Sequence, residues 1–193
     1  MEIIEQNVKE VKTWDDMDLK EDLLRGIYAY GFENPSDIQK KAIVPMVSGK
    51  DIIAQAQSGS RKTGTFTIST LQLIDVSKPV TQALILVPTH ELAKQISSVI
   101  SNIANFIEGF VVKTLIGGTS VRDDIRSMEE RPPHVIVGCT GRVYDMLQKK
   151  YINSSDIKLL ILDEADEMLS QGFGSQIKDM FQFYFNENLQ VSL

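Results

Sequence analysis

Three features of this 193-residue sequence predict an α/β fold, a parallel sheet with helices on both faces. First, short runs are apolar at every position, as in Ala83–Val87 (ALILV) and Leu159–Leu162 (LLIL). Such strands are buried on both faces, which is the mark of a parallel sheet covered on each side. Second, the stretches between them repeat apolar residues three and four positions apart, the helical period. Third, the conspicuous polar clusters SGSRKT, PTHELA, GGTS, CTGR and DEAD each follow one of these runs. Right-handed crossovers bring all such loops to the carboxyl edge of the sheet, where ligands bind in folds of this kind.

The elements follow in order. Residues 1–13 are polar and are expected to form a flexible N-terminal arm. Leu19, Leu23, Leu24 and Ile27 predict a helix that Gly31 stops. Pro35 suits the first turn of a second helix, with Ile38, Ala42 and Ile43 on one side. DIIAQA (51–56) reads as the first strand, and a glycine-containing loop leads from it into the helix KTGTFTISTLQLI. Ala83–Val87 is the second strand, and Leu92, Ile96, Val99, Ile100 and Ile103 mark the helix after it. Phe110–Ile116, ended by Gly117-Gly118, is the third strand; Val135–Val137 and Leu159–Leu162 are the next two. Gln190–Leu193 reads as a sixth. Residues 14–193 are expected to form a single domain.

Composition narrows the class. A hydrophobic share of 42% with 24% charged residues is that of a globular chain and excludes bulk disorder. A net charge of −6 excludes a protein that coats nucleic acid by overall charge, though not one with a local basic patch. The lone Cys139 excludes an intramolecular disulfide framework and fits a reducing compartment. No apolar run approaches the roughly 18 residues that cross a bilayer, and the first twenty residues lack a secretory signal. The expected location is the cytoplasm, with the nucleus as the alternative, and no membrane partner.

Two clusters carry chemistry. The loop Ser58-Gly59-Ser60-Arg61-Lys62-Thr63 joins a strand to a helix. In that setting backbone N–H groups and the helix dipole face phosphate, a lysine neutralises the terminal phosphates, and a Thr hydroxyl reaches Mg²⁺. The strict pattern G-x-x-x-x-G-K-[ST] is not met, because Ala56 and Arg61 stand at its two glycines, so a plain strand–turn–helix connection competes with phosphate binding on this loop alone. Asp163-Glu164-Ala165-Asp166 ends the run LLIL. Carboxylates at the end of a buried strand are costly unless a cation shares the site. Asp163 suits Mg²⁺, and Glu164 suits orienting and deprotonating an attacking water. The competing reading is a solvated acidic helix start; a phosphate-type loop at the same sheet edge favours function.

The segments GFENPSDIQ (31–39), AQSGSRKT (56–63), PTHELA (88–93), GGTS (117–120), CTGR (139–142) and DEAD (163–166) occur in this order and are spread over most of the chain from Trp14 onward. In them the chain resembles the first RecA-like domain of DEAD-box RNA helicases, which are P-loop NTPases. Within that family it is most similar to the branch of translation initiation factor 4A and its exon-junction paralogue. The resemblance implies an ATP-dependent RNA helicase using ATP and Mg²⁺, with RNA-stimulated hydrolysis and local duplex unwinding in translation initiation or RNA processing. Phe32 would stack on adenine and Gln39 would read its edge; Trp14 would either shield the base or be buried against the helix. Lys62, Thr63, Asp163 and Glu164 take the phosphate, metal and water-activating roles. Pro88, Thr89, Gly117, Gly118, Gly141 and Arg142 would hold the backbone of single-stranded RNA, and Asp166 would couple this domain to its neighbour. The resemblance also implies a monomer that can meet a helical-repeat scaffold protein.

The sequence departs from the family inside three loops. Arg61 stands at a glycine position, where bulk crowds the approach of main chain to phosphate and weakened ATP binding is expected; the alternative is that its charge adds a phosphate contact. His90 replaces an arginine, and Cys139-Thr140 replaces Thr-Pro, leaving Thr140 as a shifted hydroxyl. The second RecA-like domain, with its arginine fingers, is not in these residues. A finger contributes roughly 10³–10⁵ in rate, so the isolated chain is expected to be nearly inactive as an ATPase. The competing reading is a catalytically impaired RecA-like module that docks RNA or a partner. A GTPase or small-molecule kinase leaves Phe32, Gln39 and the acidic tetrad without a role.

Overall fold

The computed structural model describes residues 11–54 and 60–193, at 60 and 61 the helical backbone alone. The strands are β1 (Ala83–Val87), β2 (Val112–Leu115), β3 (Val135–Cys139), β4 (Leu159–Leu162) and β5 (Gln190–Ser192). The helices are α1 (Glu21–Ala29), α2 (Asp37–Val47), α3 (Ser60–Leu73), α4 (His90–Ile103), α5 (Val121–Glu130), α6 (Thr140–Gln148), α7 (Ala165–Ser170) and α8 (Gly174–Phe183). Among the described residues the strands form one parallel sheet in the order β2-β3-β1-β4-β5.

The apolar runs have the cause expected of them. Ala83, Ile85 and Val87 of β1 enter one hydrophobic cluster, while Leu84 and Leu86 enter the other. β4 divides in the same way, Leu159 and Ile161 against Leu160 and Leu162. The first cluster is completed by α1 to α4, through Leu23, Ile43, Phe66 and Ile100; the second by α5 to α8, through Met128, Met146, Met168 and Met180. Period-two alternation therefore serves two cores rather than one core and water.

Local chemistry sets the helix starts. Ser36 is the N-cap position of α2, where Gln39 Oε1 accepts from its main-chain N–H, Thr89 Oγ1 accepts from Leu92 N at 3.2 Å on α4, and Ser120 caps α5. At the far end of α3, Lys20 Nζ donates to Ile74 O at 2.6 Å and Lys158 Nζ to Leu73 O at 2.8 Å. Both cations sit where a helix dipole is negative, and burial lowers both pKa values from the lysine norm.

Several expectations shift. Pro35 precedes the cap Ser36 rather than opening the helix. In place of a strand over 51–56, the described part makes one parallel bridge, Ile52 to Ser192, at the edge beyond β5; Ile52 N reaches Val191 O and Ala54 N reaches Leu193 O. β2 is shorter than 110–116, and Phe110, ahead of it, stacks on His134. Of the arm expected over 1–13, residues 1–10 lie outside the described residues, and the main-chain N–H groups of Lys12 and Thr13 both donate to Asp16.

Candidate functional site

Parallel registers align the carboxyl ends of four strands. Leu86 lies opposite both Gly138 and Leu162, and Leu115 opposite Gly138. The loops that follow stand in spatial order along one rim: 116–120 after β2, 139–142 after β3, 88–90 after β1 and 163–166 after β4. The polar clusters, scattered through the sequence, become neighbours.

At the β4 end, Asp163 Oδ1 lies 3.1 Å from Lys62 Nζ, with side-chain exposures of 4% and 17%. Among the described residues that oxygen has no hydrogen-bond donor of good geometry, so the pair is held by charge. Thr63 is half-buried in the same first turn of α3. A hard cation such as Mg²⁺ takes one or two carboxylates and keeps its remaining positions for phosphate oxygens and water. Asp163 and Thr63 are donors of that kind. Among the described residues no three His, Cys, Asp or Glu side chains are placed to hold a metal ion together, so these residues offer part of a coordination sphere rather than a closed cage.

Glu164 caps α7 with φ 58° and ψ 49°, the left-handed region. That conformation costs a non-glycine residue about 1–2 kcal/mol. It leaves Glu164 exposed beside buried Asp163, and Asp166 is also exposed.

Near Gly64 of α3, a depression of about 470 Å³ is lined by Gly31, Phe32, Glu33, Asn34, Pro35, Ser36 and Gln39. Phe32 is half-buried at its wall. Trp14 is fully buried, donates its indole N–H to Phe32 O at 2.9 Å, and stacks on the Phe32 ring at 6.3 Å. Of the two fates open to Trp14, burial is the observed one. Gln39 Oε1 accepts from Ser36 N at 2.8 Å, which fixes the amide at the floor. Both residues rest on Gly64: a Cβ there would stand 2.9 Å from Gln39 Nε2 and 3.0 Å from Phe32 Cε2.

The other three loops have distinct surfaces. Pro88 is buried and Thr89 exposed, and the hydroxyl of Thr89 caps α4. His90 lies over Gly117, its Nε2 3.2 Å from where a Cβ would be. Gly118 has φ +79°, a conformation that L side chains rarely adopt. Gly141 opens α6 near the Phe173 ring. Thr140, expected to offer its hydroxyl, turns inward: Oγ1 donates to Met168 Sδ at 3.2 Å. Cys139 is buried, which raises its thiol pKa.

Arg142 is not a free fork of donors. One terminal nitrogen donates to Asp124 Oδ2 at 2.8 Å and to Thr119 Oγ1 at 3.1 Å; the other donates to Thr119 O at 2.9 Å. Lys113 Nζ reaches Asp124 Oδ1 at 3.0 Å. Sequence reading missed Lys113, Thr119 and Asp124, because these partners lie on three different elements. Of the remaining expected residues, Ser58 and Gly59 lie outside the described residues, as do the side chains of Ser60 and Arg61.

A parallel α/β domain whose rim pairs a helix-start lysine with a strand-end aspartate has the architecture of a nucleotide-binding domain. Residues 36–193 match the model of the DEAD/DEAH box helicases, and the chain belongs to that family. It is 54% identical over 180 residues to the ATP-dependent RNA helicase eIF4A of Neurospora crassa, covering 93% of this chain and 45% of that protein. It superposes on a DEAD box protein from the hyperthermophile Methanococcus jannaschii with a TM-score of 0.89 at 31% identity, over 95% of this chain and 50% of the other. It superposes on S. cerevisiae Dbp5 bound to RNA and ADP BeF3 with a TM-score of 0.85 at 32% identity, over 95% and 46%. The chain thus spans about half the length of the relatives it matches.

Proposed function

We propose that this chain is the ATP- and RNA-binding half of an ATP-dependent RNA helicase that serves translation initiation or RNA processing in the cytoplasm. The observation that carries the reading is the 3.1 Å approach of Lys62 to Asp163 on the rim that also bears the 88–90, 117–118 and 139–142 loops. ATP lies with adenine on Phe32 and its edge on the Gln39 amide, which carries both a donor and an acceptor. Lys62 leaves Asp163 for the terminal phosphates. Asp163 and Thr63 are the residues that would hold Mg²⁺, and the ion would supply charge neutralisation for the phosphates. Glu164, exposed beside Asp163, positions a water and accepts its proton.

RNA lies over the neighbouring loops, where helix N-termini and main-chain amides favour a phosphate backbone. Sequence preference is weak, because such contacts read the backbone rather than the bases. Asp166 couples the rim to a second RecA-like domain, whose arginine finger completes hydrolysis. The working unit is a monomer, and a helical-repeat scaffold is a partner that fits the family.

The test is equilibrium binding of a fluorescent ATP analogue with Mg²⁺ and, separately, of labelled single-stranded RNA. The reading predicts that both bind and that Lys62→Ala abolishes only the first. Absence of nucleotide binding by both the wild type and Arg61→Gly would overturn it. Binding gained only on Arg61→Gly would favour an impaired RecA-like module instead.

A further inference from the structure

Arg142 is built into the protein rather than presented to a ligand. Its guanidinium and the Asp124 carboxylate are each only 10% exposed, and they meet at 2.8 Å. The same guanidinium takes the carbonyl and the hydroxyl of Thr119. Thr119 Oγ1 is also placed 3.1 Å from Asp124 Oδ2 and 3.0 Å from Ile116 O, so three polar groups pin the turn that carries Gly117 and Gly118. Lys113 Nζ lies 3.0 Å from the other oxygen of Asp124 and 2.7 Å from Ser127 Oγ. One buried carboxylate is thereby flanked by two cations from β2 and α6.

We propose that Asp124 and Arg142 are positioning residues for the 117–119 turn, and that Arg142 does not itself contact RNA phosphate. The turn then offers main-chain N–H groups in a fixed arrangement, with no Cβ at two successive positions to hold a phosphate away. The inference rests on the RNA reading given above.

A direct phosphate ligand and a brace differ in what they tolerate. A phosphate is also bound by lysine as a point charge, so a direct ligand keeps part of its contact in Arg142→Lys. The brace needs the planar fork, because its two arms reach Asp124 and Thr119 together. A lost phosphate contact also lowers the salt dependence of binding by about one unit of slope, whereas a displaced turn leaves the slope unchanged.

The experiment measures affinity for labelled single-stranded RNA from low to moderate salt for the wild type, Arg142→Lys, Arg142→Gln and Asp124→Asn. Hydrogen exchange at residues 116–120 is measured on the same proteins without RNA. All three variants should bind roughly tenfold more weakly, with the wild-type salt slope, and exchange faster at 116–120 while 88–90 is unchanged. Wild-type affinity in Arg142→Lys, or a slope reduced by about one in Arg142→Gln, would overturn the inference. So would unchanged exchange at 116–120. A wild type that binds no RNA defeats the RNA reading itself, and the exchange arm still decides whether the brace exists.

Discussion

The indole N–H of Trp14 donates to the main-chain carbonyl of Phe32 at 2.9 Å while the two rings stack at 6.3 Å. A residue before the first helix thereby fixes the wall of the depression proposed to take adenine. Trp14 is fully buried, so Trp14→Ala should cost about 3–5 kcal/mol. Trp14→Phe keeps most of the packing and loses the hydrogen bond, at about 1 kcal/mol. Chemical denaturation of the three proteins checks the order. The same Phe variant should weaken ATP binding while leaving RNA binding intact, because Phe32 loses its anchor.

Lys62 and Asp163 form a pair in which the acid is nearly inaccessible. Lys62→Met leaves that carboxylate buried without a counter-charge and should cost roughly 3 kcal/mol. Adding Asp163→Asn removes the stranded charge, so the double variant should be more stable than Lys62→Met alone. Urea midpoints of the single and double variants decide it; a double variant less stable than Lys62→Met would contradict the pairing.

His134 should give the domain an acid-sensitive step away from the rim. Its Nδ1 accepts from Val111 N at 3.0 Å, its ring stacks on Phe110, and burial lowers its pKa below the ordinary histidine value. The folded protein therefore keeps it neutral where the unfolded chain is already protonated. The unfolded state binds more protons, so stability rises with pH. The contribution is complete above about pH 6.5 and is lost as pH falls toward the lower folded value. The slope from this residue is at most about 1.4 kcal/mol per pH unit. Unfolding free energies at pH 7.5 and 5.5 should differ less in His134→Asn, whose amide oxygen can still accept from Val111.

Much of this was legible in the residue order, for reasons that separate clearly. Ala83–Val87 and Leu159–Leu162 could be read because burial on both faces demands an apolar residue at every position. β2 was harder: it lies at the sheet edge, and Lys113 and Thr114 within it spend their polar ends on Asp124 and Ser97. The rim loops stood out because they directly follow strands. The brace did not, since Asp124 sits in the first turn of α5 beside Asp123 and nothing local separates the buried acid from the solvated one. Thr140 failed for a similar reason, as its inward partner Met168 lies 28 positions away.

The central claim is that Lys62 and Asp163 together receive the phosphates and the metal of ATP. Isothermal titration of Mg·ATP and Mg·GTP into the wild type, Lys62→Ala and Asp163→Asn tests it most directly. The account predicts one site in the wild type with ATP preferred over GTP, no measurable binding in Lys62→Ala, and loss of the Mg²⁺ dependence in Asp163→Asn. Equal affinity for both nucleotides, or undiminished ATP binding in Lys62→Ala, would contradict it.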